Sequence, residues 1–203
     1  RILSPSDYGL IAMVTVVVNF VALLKDAGLS LATIQRKEIT HTQISTLFWV
    51  NVALSMTLGA SILAGAPLVA WFYGKPELTA VTAVLSISFV LTGLGIQHAA
   101  LLRRHMRFGS LAIIDISSQI LALAVTVWMA MEGWRYWSLV GGAMMTAIST
   151  VFLTGFFCAW IPGWVKRGAG VREMLWFGSH LTSFNFINYF SRNADNVLIG
   201  KFI

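Results

Sequence analysis

Charge is scarce in this sequence, and the scarcity decides its class. Only 11% of the residues are Asp, Glu, Lys or Arg against 57% hydrophobic, where a soluble domain carries about a quarter charged. With a mean hydropathy of +0.77, the chain reads as an integral membrane protein. Cysteine is nearly absent. The single thiol, Cys158, excludes a disulfide within the chain and argues against a cysteine-rich metal site. His41, His98, His105 and His180 recur at no spacing that forms a local ligand set, so neither metal nor cofactor is expected. The sequence also lacks G-x-x-x-x-G-K-[ST], H-E-x-x-H and G-x-S-x-G. With loops this short, an extramembrane enzyme site or ATP-driven transport by this chain alone is not expected. No stretch alternates with period two, which argues against a barrel.

What is present is a series of long apolar runs. A bilayer core takes about 20 apolar residues per helix, and six runs reach that length: Tyr8 to Gln35, Gln43 to Phe72, Leu78 to Leu102, Ser110 to Met131, Trp137 to Ile161 and Arg172 to Ile199. The expected fold is therefore all-α, a polytopic bundle of about six transmembrane helices. Ser6 or Asp7 is expected to cap the first, and Gly74-Lys75-Pro76-Glu77 to turn the chain after the second. The pairs Gly93/Gly95 and Gly141/Gly142 suit close helix approach. Because it opens at Arg1 and stops at Ile203 inside an apolar pattern, the sequence is expected to be an internal stretch of a longer chain.

The net charge of +6 would point to nucleic acid in a soluble protein. In a membrane protein it reflects Lys and Arg gathered in cytoplasmic loops, and no nucleic-acid partner is expected. Arg36, Lys37, Arg103, Arg104, Arg107, Lys166, Arg167 and Arg172 follow the first, third and fifth runs, whereas the opposite side holds Arg1, Lys75, Arg135 and Lys201. The richer side is assigned to the cytoplasm. Trp71, Phe72 and Tyr73, with Trp134, Tyr136 and Trp137, mark the outer interface as an aromatic belt. Left inside the runs are Lys25, Asp26, Asp115, Arg192 and Asp195. A charge at mid-membrane costs about 3 kcal/mol on insertion scales, so such groups face protein or an aqueous cavity.

Depth and periodicity sort these charges. Asp115 lies only ~7 Å into its run by helical rise and reads as an interfacial charge beside Arg107, with Ser118 and Gln119 on its face. Asp26 lies ~27 Å along the first run, toward the cytoplasmic end, and Gly28 just after it permits a bend. In the last run Thr182, Asn185, Asn188, Arg192, Asp195 and Asn196 recur at steps of three and four, a polar stripe on one face. Thr15, Asn19, Asp26, Ser30 and Thr33 form a weaker stripe in the first. Each stripe faces either a cavity or a neighbouring helix through hydrogen bonds. Gln97, His98 and Asn51 are expected to make packing hydrogen bonds.

The segments RILSPSDYGLIAMV, LLKDAGLSLATIQRKEITHTQISTLFW, GIQHAALLRRHMRFGSLA and WFGSHLTSFNFINYFSRNADNVLIGKF together resemble bacterial Wzx-like polysaccharide flippases of the multidrug/oligosaccharidyl-lipid/polysaccharide exporter superfamily. The resemblance covers nearly the whole chain. It implies two six-helix lobes related as parallel repeats, with residues 1–170 the N-terminal lobe lacking its first helix and 171–203 the start of the second lobe. It implies that an undecaprenyl-pyrophosphate-linked oligosaccharide is moved across the bacterial cytoplasmic (inner) membrane by alternating access, without covalent chemistry. The implied partners are that lipid-linked oligosaccharide, membrane lipids, and polysaccharide polymerase and export proteins. On this reading Arg192 and Lys25 attract phosphate, and Asn185, Asn188, Asn193 and Asn196 hydrogen-bond sugar or headgroup. Asp26 and Asp195 hold those cations or titrate during ion coupling. The alternatives are a drug or organic-cation exporter of the same superfamily and a membrane glycan polymerase or ligase.

Overall fold

The computed structural model describes residues 4–22, 28–165, 170–176, 178 and 180, and they are helical throughout apart from short connections. In chain order the helices are α1 (Pro5–Ala22), α2 (Leu29–Gln35), α3 (His41–Tyr73), α4 (Glu77–Arg104), α5 (Phe108–Met131) and α6 (Trp137–Cys158). A further helical segment begins at 172–176. Helices α3 to α6 are each long and apolar enough to cross a membrane; α3, at 33 residues, is about 50 Å long by helical rise. The second to fifth runs thus appear as single helices, and most of the sixth lies outside the described residues.

The ends of the helices have local causes. Pro5 occupies the first helical position of α1, where its fixed φ suits the helix and its missing N–H is no loss. Ser4, not Ser6 or Asp7, therefore stands at the cap: its N–H and hydroxyl both donate to the Asp7 carboxylate, at 3.0 and 2.6 Å. Thr40 and Gln43 cap α3 reciprocally, the Gln43 N–H donating to Thr40 Oγ1 and the Thr40 N–H to Gln43 Oε1. Gly74, at φ +63°, closes α3 in the left-handed conformation.

The first run is two helices. Gly28 sits at φ +66° as the N-cap of α2, a conformation glycine adopts without steric penalty. A helical wheel drawn through that residue loses its phase, so the predicted stripe from Thr15 to Thr33 does not continue across it. Asn19 is exposed on α1, whereas Ser30 and Thr33 are buried on α2.

Helix α4 is the hub, packing against α1, α2, α3, α5 and α6. Glycines let its neighbours approach, as their spacing suggested. Gly93 faces Ser55 and Asn51 of α3, while Gly95, two residues on and so on the opposite side of the helix, faces Val151 and Thr154 of α6. Gly142 of α6 lies against Thr126 and Ala122 of α5. Helix α5 is the least buried of the four membrane-length helices. Its Ile113, Ile116, Ile120, Leu123 and Val127 are exposed, the surface that lipid would cover. Asp115 is exposed on the same helix, and Arg107 donates to the Phe157 carbonyl at 2.9 Å.

At one end of the bundle Val14, Ala70, Leu78, Val81, Leu85 and Val140 form an apolar cluster from α1, α3, α4 and α6. There Arg135, in the α5–α6 turn, lies 3.6 Å from the nearly buried Asp7. Trp71, Phe72 and Trp134 are largely exposed at this end, in keeping with the belt. Asn51, expected to make a packing hydrogen bond, does not: it is wholly buried between α3 and α4 with neither amide atom partnered. An enclosed polar group without a partner is destabilising. Asn51→Leu, which keeps the branched shape, is expected to stabilise the protein by about 1 kcal/mol, read as a raised melting temperature in detergent.

Candidate functional site

All eight residues predicted to handle substrate or coupling, Lys25, Asp26, Asn185, Asn188, Arg192, Asn193, Asp195 and Asn196, lie outside the described residues. What the structure describes is the ground next to them: α2, which begins just after Lys25 and Asp26, and the basic end of the bundle that holds it.

A seven-residue helix has too few internal bonds to stand alone, and its last carbonyls have no partners within it. For α2 they are supplied by Arg104, at the end of α4. Arg104 Nη1 donates to the carbonyls of Thr33 (2.8 Å), Ile34 (3.3 Å) and Arg36 (2.6 Å), and Nη2 to that of Lys37 (3.0 Å). The planar fork suits several acceptors at once, and its charge sits at the negative end of the helix dipole. Two turns earlier on α4, buried Gln97 donates from Nε2 to Thr33 Oγ1 at 3.1 Å, while that hydroxyl also bonds the Leu29 carbonyl. Of the two roles considered for the first-run stripe, Thr33 fills the interhelical one. Leu29 and Ala32 complete the attachment by packing with Leu47 of α3 and Met174.

The segment after α6 is tied to the same end. The run predicted to continue to Ile161 stops at Cys158, and Ala159 turns left-handed at φ +51°. Residues 160–164 then lie along His41, Ser45 and Trp49, one α3 face at steps of four. His41 Nε2 donates to the Ile161 carbonyl at 3.2 Å, the Gly163 N–H to Ser45 Oγ at 3.0 Å, and Trp49 Nε1 to the Gly163 carbonyl at 2.9 Å. Trp160 contacts His41, His98 and Phe48, ring centroids 5.7, 5.3 and 6.0 Å away. His98 Nδ1 lies 2.9 Å from the Leu94 carbonyl. A carbonyl only accepts, so Nδ1 is the protonated nitrogen.

Of the basic residues grouped by loop counting, Arg36, Arg104 and Arg107 thus meet at one end. Arg36 lies 3.7 Å from Glu173, Arg104 holds the α2 terminus, and Arg107 holds the end of α6. A cavity of about 260 Å³ lies between α2 and the segment near 174, lined by Ala32, Gln35, Arg36, Glu173 and Met174. Sequence reading counted Arg104 only among the charges that orient the chain and missed its clamp.

Comparison with known proteins decides the family. A family model described as polysaccharide biosynthesis protein matches residues 1–203, the whole chain. The chain belongs to this polysaccharide biosynthesis protein family. The Wzx-like resemblance therefore holds. The chain is 28% identical to the lipopolysaccharide biosynthesis protein WzxC of Escherichia coli, over all of this chain and 42% of that protein. It is 28% identical to the teichuronic acid biosynthesis protein TuaB of Bacillus subtilis, over 91% of this chain and 38% of that one. It is 25% identical to the succinoglycan biosynthesis transport protein ExoT of Rhizobium meliloti, over all of this chain and 41% of that protein. The chain spans about two fifths of the length of these relatives. No solved structure matches it. Family membership and four membrane-length helices together describe a multi-pass membrane protein of polysaccharide biosynthesis.

Proposed function

We propose that this chain is the N-terminal part of a flippase that carries a lipid-linked oligosaccharide across the bacterial cytoplasmic membrane. The observation that carries the reading is the family match over all 203 residues, on a chain whose relatives include one named as a transport protein. The physical task fits a helix bundle. A pyrophosphate and its glycan have to leave water, so donors and cations inside the protein replace their hydration while the lipid tail stays in the bilayer. No bond is made or broken.

In this proposal residues 1–170 form one lobe and 171–203 begin the second. Arg192 and Lys25 attract the pyrophosphate, the asparagines at 185, 188, 193 and 196 bond sugar or headgroup, and Asp26 and Asp195 hold the cations or titrate. The break at Gly28 supports a role for Lys25 and Asp26 at a cavity rim.

The test is flipping of a fluorescent undecaprenyl-pyrophosphate oligosaccharide by the full protein in proteoliposomes. Flipping is expected for the wild type, and Arg192→Ala at equal abundance is expected to abolish it. Absence of flipping with wild-type protein, alongside efflux of an organic cation from the same vesicles, would overturn the reading. Wild-type rates in the Arg192 variant would remove that residue from the site.

A further inference from the structure

At the basic end a second cavity, about 250 Å³, opens between the start of α3, the end of α4 and the segment after α6. Its polar wall is made of Arg104, His41, His105 and Trp160, with Cys158 beside them. Ile39, Ile44 and Leu101 supply the apolar remainder. Among the described residues, no carboxylate lines it.

The donors around this cavity exceed the acceptors. Arg104 has five N–H groups, and its bonds to α2 come from Nη1 and Nη2 alone; the Nε–H makes none of them. The indole N–H of Trp160 is enclosed and has no acceptor. Arg103 and Arg107 flank the cavity along the chain and are exposed. Glu38 and Glu173, on the segments that border this end, are not among its lining residues. Glu173 lies against Arg36, and Glu38 is exposed to solvent. A donor-rich, cationic cavity selects an oxyanion. Its level selects which one: it opens where α3 begins and α4 and α6 end, and the chain near these ends carries the exposed apolar side chains of Met106, Phe156, Ile161 and Trp164. A soluble anion has no use for that surface, whereas the acyl chains of a lipid cover it. Basic pockets between transmembrane helices on the cytoplasmic side are suited to anionic headgroups.

We propose that this cavity binds the phosphate of an anionic phospholipid of the cytoplasmic leaflet, with the acyl chains lying along the exposed end of α6. The inference stands apart from the proposed transport activity, since it uses neither Lys25 nor any residue of 185–196. Bound lipid would bridge α3, α4 and the segment that leaves α6 toward the rest of the protein, making the hold on that segment dependent on leaflet composition.

Cys158, in the cavity wall, is a built-in reporter. The full protein is placed in nanodiscs of phosphatidylglycerol or of phosphatidylcholine, treated with N-ethylmaleimide, and labelling at Cys158 is followed by peptide mass spectrometry. Labelling is expected to be several-fold slower in phosphatidylglycerol. Two variants separate occupancy from a general surface effect: His105→Ala, at an exposed helix end, and Ile39→Glu, which places an acid in the cavity. His105→Ala is expected to weaken the lipid dependence while melting as the wild type does, and Ile39→Glu to abolish it. Equal labelling in the two lipids would overturn the proposal, as would protection that persists in Ile39→Glu. Protection by inorganic phosphate in phosphatidylcholine nanodiscs would identify a free-anion site and overturn the lipid assignment.

Discussion

Arg104→Ala is expected to destabilise the protein by about 3 kcal/mol, hydrogen bonds to charged groups contributing about 1.5 to 3 kcal/mol in total effect per well-formed partner. The reasoning starts from the length of α2. Seven residues cannot satisfy the helix's last carbonyls internally, and Arg104 reaches four carbonyls in and just beyond its last turn. Removing it leaves those of Thr33 and Ile34 in a partly buried setting, whereas water can serve Lys37, which is exposed. The loss is therefore well below four full bonds. Arg104→Lys keeps the charge but replaces a planar fork by a single point of donation, and is expected to recover less than half. Thermal unfolding in detergent measures the stability. Limited trypsin digestion locates it: cleavage after Arg36 and Lys37 should accelerate in the Ala variant before global unfolding begins. A melting temperature equal to wild type, with unchanged cleavage there, would show that α2 does not depend on the clamp.

This residue also shows where sequence reading stopped. Run length and loop charge were enough to place α3 to α6 and to put Arg36, Arg104 and Arg107 at one end, because hydropathy is a local property of the chain. The partners of Arg104 are 67 to 71 residues away, and no local pattern encodes them. The same holds for His41 and His98. They share no ligand spacing, yet Trp160 lies against both. The break at Gly28 was half legible. A glycine among apolar residues marked a bend, but a periodic stripe drawn through it assumed one continuous helix, and the left-handed φ removed that assumption. The end of α6 was over-extended because apolar Trp160 and Ile161 look like helix to a hydropathy window; their role is to lie across α3. The proposed substrate residues, Lys25, Asp26 and 185–196, were picked for charge and periodicity, and they fall in the part of the chain outside the described residues.

Gly93→Leu is expected to have the second large effect, about 2 to 4 kcal/mol, toward the upper end of what overpacking produces. Helix α4 packs against α1, α2, α3, α5 and α6, and at Gly93 it meets α3. A Cβ added there would lie 2.5 Å from Ser55 Cβ and would also overlap Ser55 Oγ. Rotating the serine moves Oγ but not Cβ, which is fixed by the α3 backbone, so the helices themselves would have to separate. Separation would expose the α3–α4 seam where Asn51 and Ser55 are already buried without partners. It would also draw α4 away from elements that Arg104 and Gln97 hold. Gly65→Ala and Gly155→Ala supply the contrast, since a Cβ at either site meets nothing within 4 Å; each is expected to gain about 0.5 to 1 kcal/mol from helix propensity alone. The exchange Ser55→Gly with Gly93→Ser moves the side chain from one helix to the other while keeping the pair's volume, and is expected to recover most of the loss seen in Gly93→Ser alone. Melting temperatures and the yield of monodisperse protein read all of these. If Gly93→Leu melts with Gly65→Ala, or the exchange recovers nothing, close approach at Gly93 is not what holds α3 on α4.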